Sequence, residues 1–310
     1  MNRSQYAAML RAIKENPANL AKFRAKFKNV YPFSDAIFKV LMVNENDPSR
    51  FITFINAMLD LRGDDRIKNF HFEVQEQPGI LNNKTNIFDI IGTNERDEKV
   101  LVEVQQTDSD FYMDRLLYYT SRIITNHVKK SEDYELPRIY VLSILTCDQF
   151  ELEPDIYFHH VHFVKNGEDY YPKLDLYFVE VEKFLKIDGL AEKSEKEKSQ
   201  RAEMLRLFGD IINEKPVSTN FYDKDFCDSL KKDVSLEKFE DELFLREDVM
   251  INMAFEKQSS FRKGERIGAL EKAREIAKRM IKAGDSDEKI ASITELSLED
   301  VVVLRSQLEA

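Results

Sequence analysis

Apolar residues recur along this 310-residue chain with two different periods, and the periods divide it into elements. In residues 1–29, Tyr6, Met9, Leu10, Ile13, Leu20, Phe23 and Phe27 have helical spacing, interleaved with Arg3, Arg11, Lys14, Lys22, Arg24, Lys26 and Lys28. That pattern predicts an amphipathic, basic helical arm packed on a domain, and its cationic side would also suit a phosphate backbone. Beyond Pro32, either Ser34 or Asp35 suits an N-cap for a helix carrying Phe38, Leu41 and Met42. A second helix follows Pro48 through Phe51, Phe54, Ile55, Met58 and Leu59. Residues 67–76 change to period two, with Phe70, Phe72 and Val74 alternating with His71, Glu73 and Gln75, which predicts a strand. His71 has no second His or Cys nearby and reads as an edge residue rather than a ligand.

Pro78-Gly79 and Asn82-Asn83 then break the chain ahead of its most informative stretch, residues 86–106. Two runs rich in β-branched residues, 87–93 and 99–105, flank Asn94-Glu95-Arg96-Asp97-Glu98, which predicts a hairpin with a charged turn. Alternation puts Glu103 and Gln105 on one face, and symmetry about Arg96 puts Asp89 opposite Glu103 on that face. Two carboxylates and an amide thus meet on an otherwise apolar strand pair, where charge is costly unless paired or bound to a metal.

Residues 111–128 predict a helix with Tyr112, Leu116, Tyr119 and Ile123 in one stripe and Asp114, Arg115, Tyr118 and Arg122 toward a groove. Arg115 and Arg122 also read as an ordinary surface pair neutralising nearby acids. The nearly continuous apolar run 138–146 predicts a strand buried on both faces, and further strands are expected over 157–165 and 174–184. His159, His160 and His162 cluster in sequence, but no acid or cysteine stands at zinc-ligand spacing. A charged linker or solvated helix at 191–200 leads to helices over 201–256, divided by Pro216, and an amphipathic helix over 258–283 ended by Gly284. Ser286 and Ser297 are N-caps for two closing helices with a helix-turn-helix layout. Their acidic balance suits packing or dimerisation better than reading DNA.

Composition narrows the function classes. The chain is 43% hydrophobic and 33% charged, with 9 Gly and 8 Pro, as expected of a mostly folded protein. A net charge of −11 argues against a non-specific nucleic-acid coat but leaves room for a local basic face. Cys147 and Cys227 fit neither a disulfide framework nor a zinc pattern. With no signal-peptide core and no run of 18 apolar residues, a cytoplasmic protein without membrane partners is expected.

By spacing alone, Asp89, Glu103 and Gln105 fit three readings: an Mg²⁺ or Mn²⁺ site for phosphodiester hydrolysis, a structural carboxylate pair satisfied by Arg115, or a purely packed hairpin. Taken in order, Ser34-Asp35-x-x-Phe38-Lys39, Phe88-Asp89-Ile90, Val102-Glu103-Val104-Gln105 and Arg115-x-x-x-Tyr119-x-x-Arg122 resemble the PD-(D/E)XK nuclease family transposases, also called recombination-promoting (Rpn) nucleases. The resemblance covers roughly residues 30–185. It implies an α/β fold, a restriction-endonuclease-like core of mixed sheet flanked by helices. The expected organisation is the arm at 1–29, the core at 30–190 and a helical C-terminal region at 191–310. It also implies a Mg²⁺-dependent DNA endonuclease, with Mn²⁺ as a second candidate, linked to mobile elements or phage defence. Asp35, Asp89, Glu103 and Gln105 would be catalytic, with Asp89 and Glu103 holding the metal. Lys84, Arg115, Tyr119 and Arg122 would face DNA, and the helical tail would support a homodimer. Gln105 stands where the superfamily pattern has lysine, and glutamine brings hydrogen bonds without charge. Either a neighbour such as Arg115 or Lys84 supplies that charge, or the protein is a weak or inactive DNA-binding or assembly module that keeps the nuclease fold.

Overall fold

Every residue of the strand Ile139–Leu145 is buried, as an apolar run between Pro137 and Cys147 requires. The computed structural model built around it describes residues 1–73, 76–77, 86–87, 89–106, 111–128, 135–191, 197–246 and 268–309. Two compact units divide the chain, Met1–Asn252 and Met253–Ala310.

The first unit begins with helices α1 (Arg3–Glu15), α2 (Leu20–Lys26), α3 (Asp35–Met42) and α4 (Ser49–Met58). Strands β1 (Phe70–Phe72), β2 (Glu76–Gln77), β3 (Asn86–Ile87), β4 (Ile90–Asn94) and β5 (Lys99–Gln105) follow. After α5 (Tyr112–His127) come β6 (Ile139–Leu145), β7 (Phe158–Lys165) and β8 (Glu168–Glu180), then α6 (Val181–Leu190), α7 (Gln200–Ile212), α8 (Lys224–Asp233) and α9 (Asp241–Arg246). Six strands form one mixed sheet in the order β1-β4-β5-β6-β8-β7, parallel at β5–β6 and β6–β8 and antiparallel elsewhere. The short β2 and β3 pair separately.

Alternation along β5 separates two apolar layers. Val100, Val102 and Val104 enter the larger core with Met9 of α1, Phe38 of α3, Phe54 of α4, Phe208 of α7 and Leu230 of α8. Leu101 points the other way, into a layer with Ile91, Val141, Phe178 and the α5 residues Tyr112, Leu116 and Ile123. The β4–β5 turn is held by Asn94, whose Oδ1 accepts the N–H groups of Arg96 at 2.9 Å and Glu98 at 3.0 Å. Asp97 takes φ +58° there, so a three-residue loop with a left-handed last residue sets the hairpin register.

Two expected strands differ in extent. The strand expected over 67–76 is β1 alone, and Glu76–Gln77 pairs instead with Asn86–Ile87. The strand expected over 174–184 starts earlier, at Glu168, because Asn166 (φ +53°) and Gly167 (φ +86°) make a tight turn joining β7 to β8. It also ends earlier, at Glu180, where α6 begins. Buried Glu180 accepts the N–H groups of Gln149 (2.8 Å) and Phe150 (3.1 Å) and pairs with Lys183 at 2.6 Å, three residues on. That i,i+3 contact forms on a helix and not on a strand. The charged stretch expected over 191–200 and the helices expected over 201–256 and 258–283 lie partly outside the described residues.

The second unit contains α10 (268–282), α11 (Asp287–Thr294) and α12 (Leu298–Glu309) around Ala277, Ile281, Ile290, Leu296, Val301 and Leu304. Gly284 ends α10's turn with φ +84°, and Ser286 accepts the Lys289 N–H as the N-cap of α11.

Gly92 on β4 marks a close approach. A Cβ there would lie 2.2 Å from the His71 carbonyl oxygen and 2.4 Å from the Phe70 ring. Gly92→Ala is therefore expected to destabilise the first unit by about 2 kcal/mol, read as a lower urea midpoint. An unchanged midpoint would mean that β1 moves aside without cost.

Candidate active site

The β4–β5 register, Ile90↔Val102 through Thr93↔Lys99, puts Asp89 opposite Glu103 one step further on. The two are 7% and 6% exposed. Asp89 Oδ2 accepts the Val104 N–H at 2.7 Å. Glu103 Oε1 is buried and has no hydrogen-bond partner among the described residues.

Both helical layers reach this end of β5. From the larger-core side, α3 brings Asp35 in its first turn, immediately after the N-cap residue Ser34. Asp35 is thus not the cap, and its Oδ1 accepts from Gln106 Nε2 at 3.3 Å. One turn along α3, Lys39 Nζ lies 3.3 Å from Asp89 Oδ1. From the other side, α5 brings exposed Arg115, which donates to Gln105 Oε1 and lies over the Tyr112 ring at 5.2 Å. The Tyr112 hydroxyl in turn meets Ser143 Oγ under the strand.

The carboxylates perturb one another. Burial pushes Asp89 up to about 6, with the Asp35 charge adding to the effect and Lys39 opposing it. Glu103 is pushed well above the usual carboxylate range, first by burial and then by the Asp89 charge, with Arg115 opposing. Asp35 is raised by burial against the pull of Gln106, Lys39 and Arg115. Half-buried Tyr119 is raised by burial and then by the Glu103 charge.

The structure therefore gathers Asp35, Asp89, Glu103, Gln105, Arg115 and Tyr119 into one neighbourhood. Arg122 is buried on α5 instead of facing a groove, and Lys84 lies outside the described residues. The sequence reading gave Lys39 and Gln106 no role. The Asp35–Lys39 spacing of one helical turn was the available signal, but which strand that helix crosses is a tertiary fact. The clustered histidines do have acidic neighbours: His159 pairs with Glu180 at 3.2 Å, His160 with Asp175 at 2.8 Å and His162 with Asp169 at 3.0 Å.

A divalent metal fits the oxygen donors at positions 89 and 103. Glu103 Oε1 is an unsatisfied buried acceptor, and the raised carboxylates would be relieved by added positive charge. Among the described residues no three His, Cys, Asp or Glu side chains converge on one point. Two carboxylates and water suit Mg²⁺ better than an all-protein cage would.

A family model described as PD-(D/E)XK nuclease family transposase matches residues 32–205, a span containing every residue of this cluster. No curated protein and no solved structure matches the chain.

Since Glu103 holds its proton to higher pH in the fold than in the unfolded chain, the unfolded state releases it first as pH rises. Stability is lost upward from the usual carboxylate range toward the raised value. Glu103→Gln is accordingly expected to raise the unfolding midpoint at pH 8 in EDTA, with the gain disappearing near pH 4. A variant no more stable than the native chain at pH 8 would show that the Glu103 charge is fully compensated.

Proposed function

Because the chain belongs to the PD-(D/E)XK nuclease family transposases, we propose that it is a DNA endonuclease hydrolysing phosphodiesters with Mg²⁺, or Mn²⁺ in its place. The observation that carries this reading is the unsatisfied Glu103 Oε1 buried opposite Asp89. A divalent cation held by Asp89 and Glu103 would supply an activated water and neutralise phosphoryl charge.

The chain's own residues divide the remaining work. The Val104 N–H holds the Asp89 carboxylate in place before substrate arrives. Asp35 supports them from α3 through Gln106. Gln105 orients the water, its carbonyl oxygen fixed by Arg115. Exposed Arg115 contacts a DNA phosphate, with Tyr119 beside it and Arg122 behind it, and Lys84 would serve as a further DNA contact. The reading includes a cytoplasmic setting in mobile-element recombination or phage defence. None of the described helices is long and apolar enough to cross a membrane. It also includes a homodimer formed through the helical tail, where Ile293, Leu298, Val302 and Val303 are 56%, 49%, 50% and 48% exposed.

Gln105 in the lysine position favours a second reading, DNA binding without cleavage. Supercoiled plasmid incubated with Mg²⁺, Mn²⁺ or EDTA separates the two, comparing the native chain with Glu103→Ala. The expected result is metal-dependent nicking reduced about 100-fold or more in the variant. DNA binding with no nicking would support the binding module. Equal cation binding by both proteins would make the carboxylates structural.

A further inference from the structure

Gln105 brings no charge to its position, yet phosphodiester hydrolysis builds negative charge on the phosphoryl oxygens that a fixed cation stabilises. We propose that Lys39, reaching in from α3, is the catalytic cation of this site and hydrogen-bonds the phosphate and the attacking water. The inference rests on the endonuclease reading above and adds to it a residue from a different element.

Three observations point to Lys39. Its ammonium lies 3.3 Å from Asp89 Oδ1, beside the carboxylate pair and not merely within the same half of the protein. That separation is long for a charge-assisted bond, normally about 2.7–2.9 Å, so the contact leaves the ammonium available to a second partner. The Lys39 side chain is 24% exposed while that of Asp89 is 10% exposed, so the lysine forms the solvent side of the pair, from which substrate must come. The other nearby cation, Arg115, approaches from the opposite face of the sheet and is already engaged by Gln105 and the Tyr112 ring. The site thus has a cation on each side of β5, Lys39 beside Asp89 and Arg115 beside Gln105 and Glu103.

In the step itself, the water oxygen bonds to phosphorus as the ester P–O bond breaks. The water's proton passes to solvent and the departing oxygen takes one from solvent, so Lys39 stays an ammonium throughout.

A purely structural role makes a different forecast. If Lys39 only neutralised Asp89, removing it would leave Asp89 more available to a cation and cleavage would persist. The test uses the full chain with Lys39→Met and Lys39→Arg. Plasmid nicking is measured at saturating Mn²⁺, Mn²⁺ binding by electron paramagnetic resonance of the free ion, and folding by thermal unfolding. The expected result is nicking by Lys39→Met slowed about 100-fold or more, with Mn²⁺ bound as tightly as by the native chain or tighter. Lys39→Arg should recover part of the rate. Lys39→Gln, which keeps a polar head of similar reach, repeats the comparison if the methionine variant unfolds. Nicking by a folded Lys39→Met or Lys39→Gln within about threefold of the native rate would overturn the role of Lys39 alone. A native chain that binds Mn²⁺ but nicks nothing would overturn the endonuclease reading, and the role of Lys39 with it.

Discussion

The Val104 N–H donates 2.7 Å to Asp89 Oδ2 at the point where the β4–β5 ladder stops. A side chain here takes the place of a main-chain acceptor, so one bond both satisfies a buried donor and anchors an acid. Glu103 stands opposite Asp89 one step beyond that ladder, its Oε1 buried without a hydrogen-bond partner among the described residues. Asp89 therefore cannot be reoriented without breaking a buried backbone bond, and it fixes the hairpin end against which Glu103 is set. Around this contact the other site residues take their positions: Lys39 against the second Asp89 oxygen, Asp35 through Gln106, and Arg115 through Gln105.

The arrangement is electrostatically incomplete. Three carboxylates share a poorly solvated end of the sheet, with Lys39 beside Asp89 and Arg115 on the Glu103 side, and each acid is pushed above its ordinary range. A fold selected only for stability would place an apolar side chain at position 103, as it does at 101 on the same face. The Glu180–Lys183 pair shows the contrast. There a buried carboxylate accepts two backbone N–H groups, a lysine and an imidazole, and its contacts are fully used in holding the 146–157 loop. One buried acid is sealed and the other is left short of partners, which separates a structural charge from a functional one.

Much of this was legible in the chain itself. Strand alternation and a charged five-residue turn were enough to face Asp89 with Glu103, because the period of two leaves only one parity that buries the valines. The apolar run at 138–146 announced a two-sided strand for the same reason. Less visible was anything that depends on where one element crosses another. Lys39 sits on the same helix face as Asp35, but its meeting with Asp89 comes from packing α3 over the hairpin. Arg115 and Arg122, two turns apart on α5, share a side of the helix. Only the extent of the neighbouring layer leaves one exposed and buries the other. The end of β8 was misjudged because Val-Glu-Val-Glu alternates like a strand, while the Glu180–Lys183 contact works at helical spacing.

The site strand also sits between partners of very different sequence separation. Its antiparallel neighbour β4 is joined to it by a short turn, whereas Lys99 pairs in parallel with Ile139 and Ile139 with Leu174, separations of 40 and 35 residues. Closing such distant pairings costs more chain entropy and is slower than closing a hairpin. Chain entropy thus favours the hairpin that faces the two acids, and the sheet beside them is completed by the distant pairings of β6 and β8. The turn that sets this facing is held by Asn94 and Asp97 and owes nothing to the acids, so neutral residues at 89 and 103 would leave the hairpin register as it is.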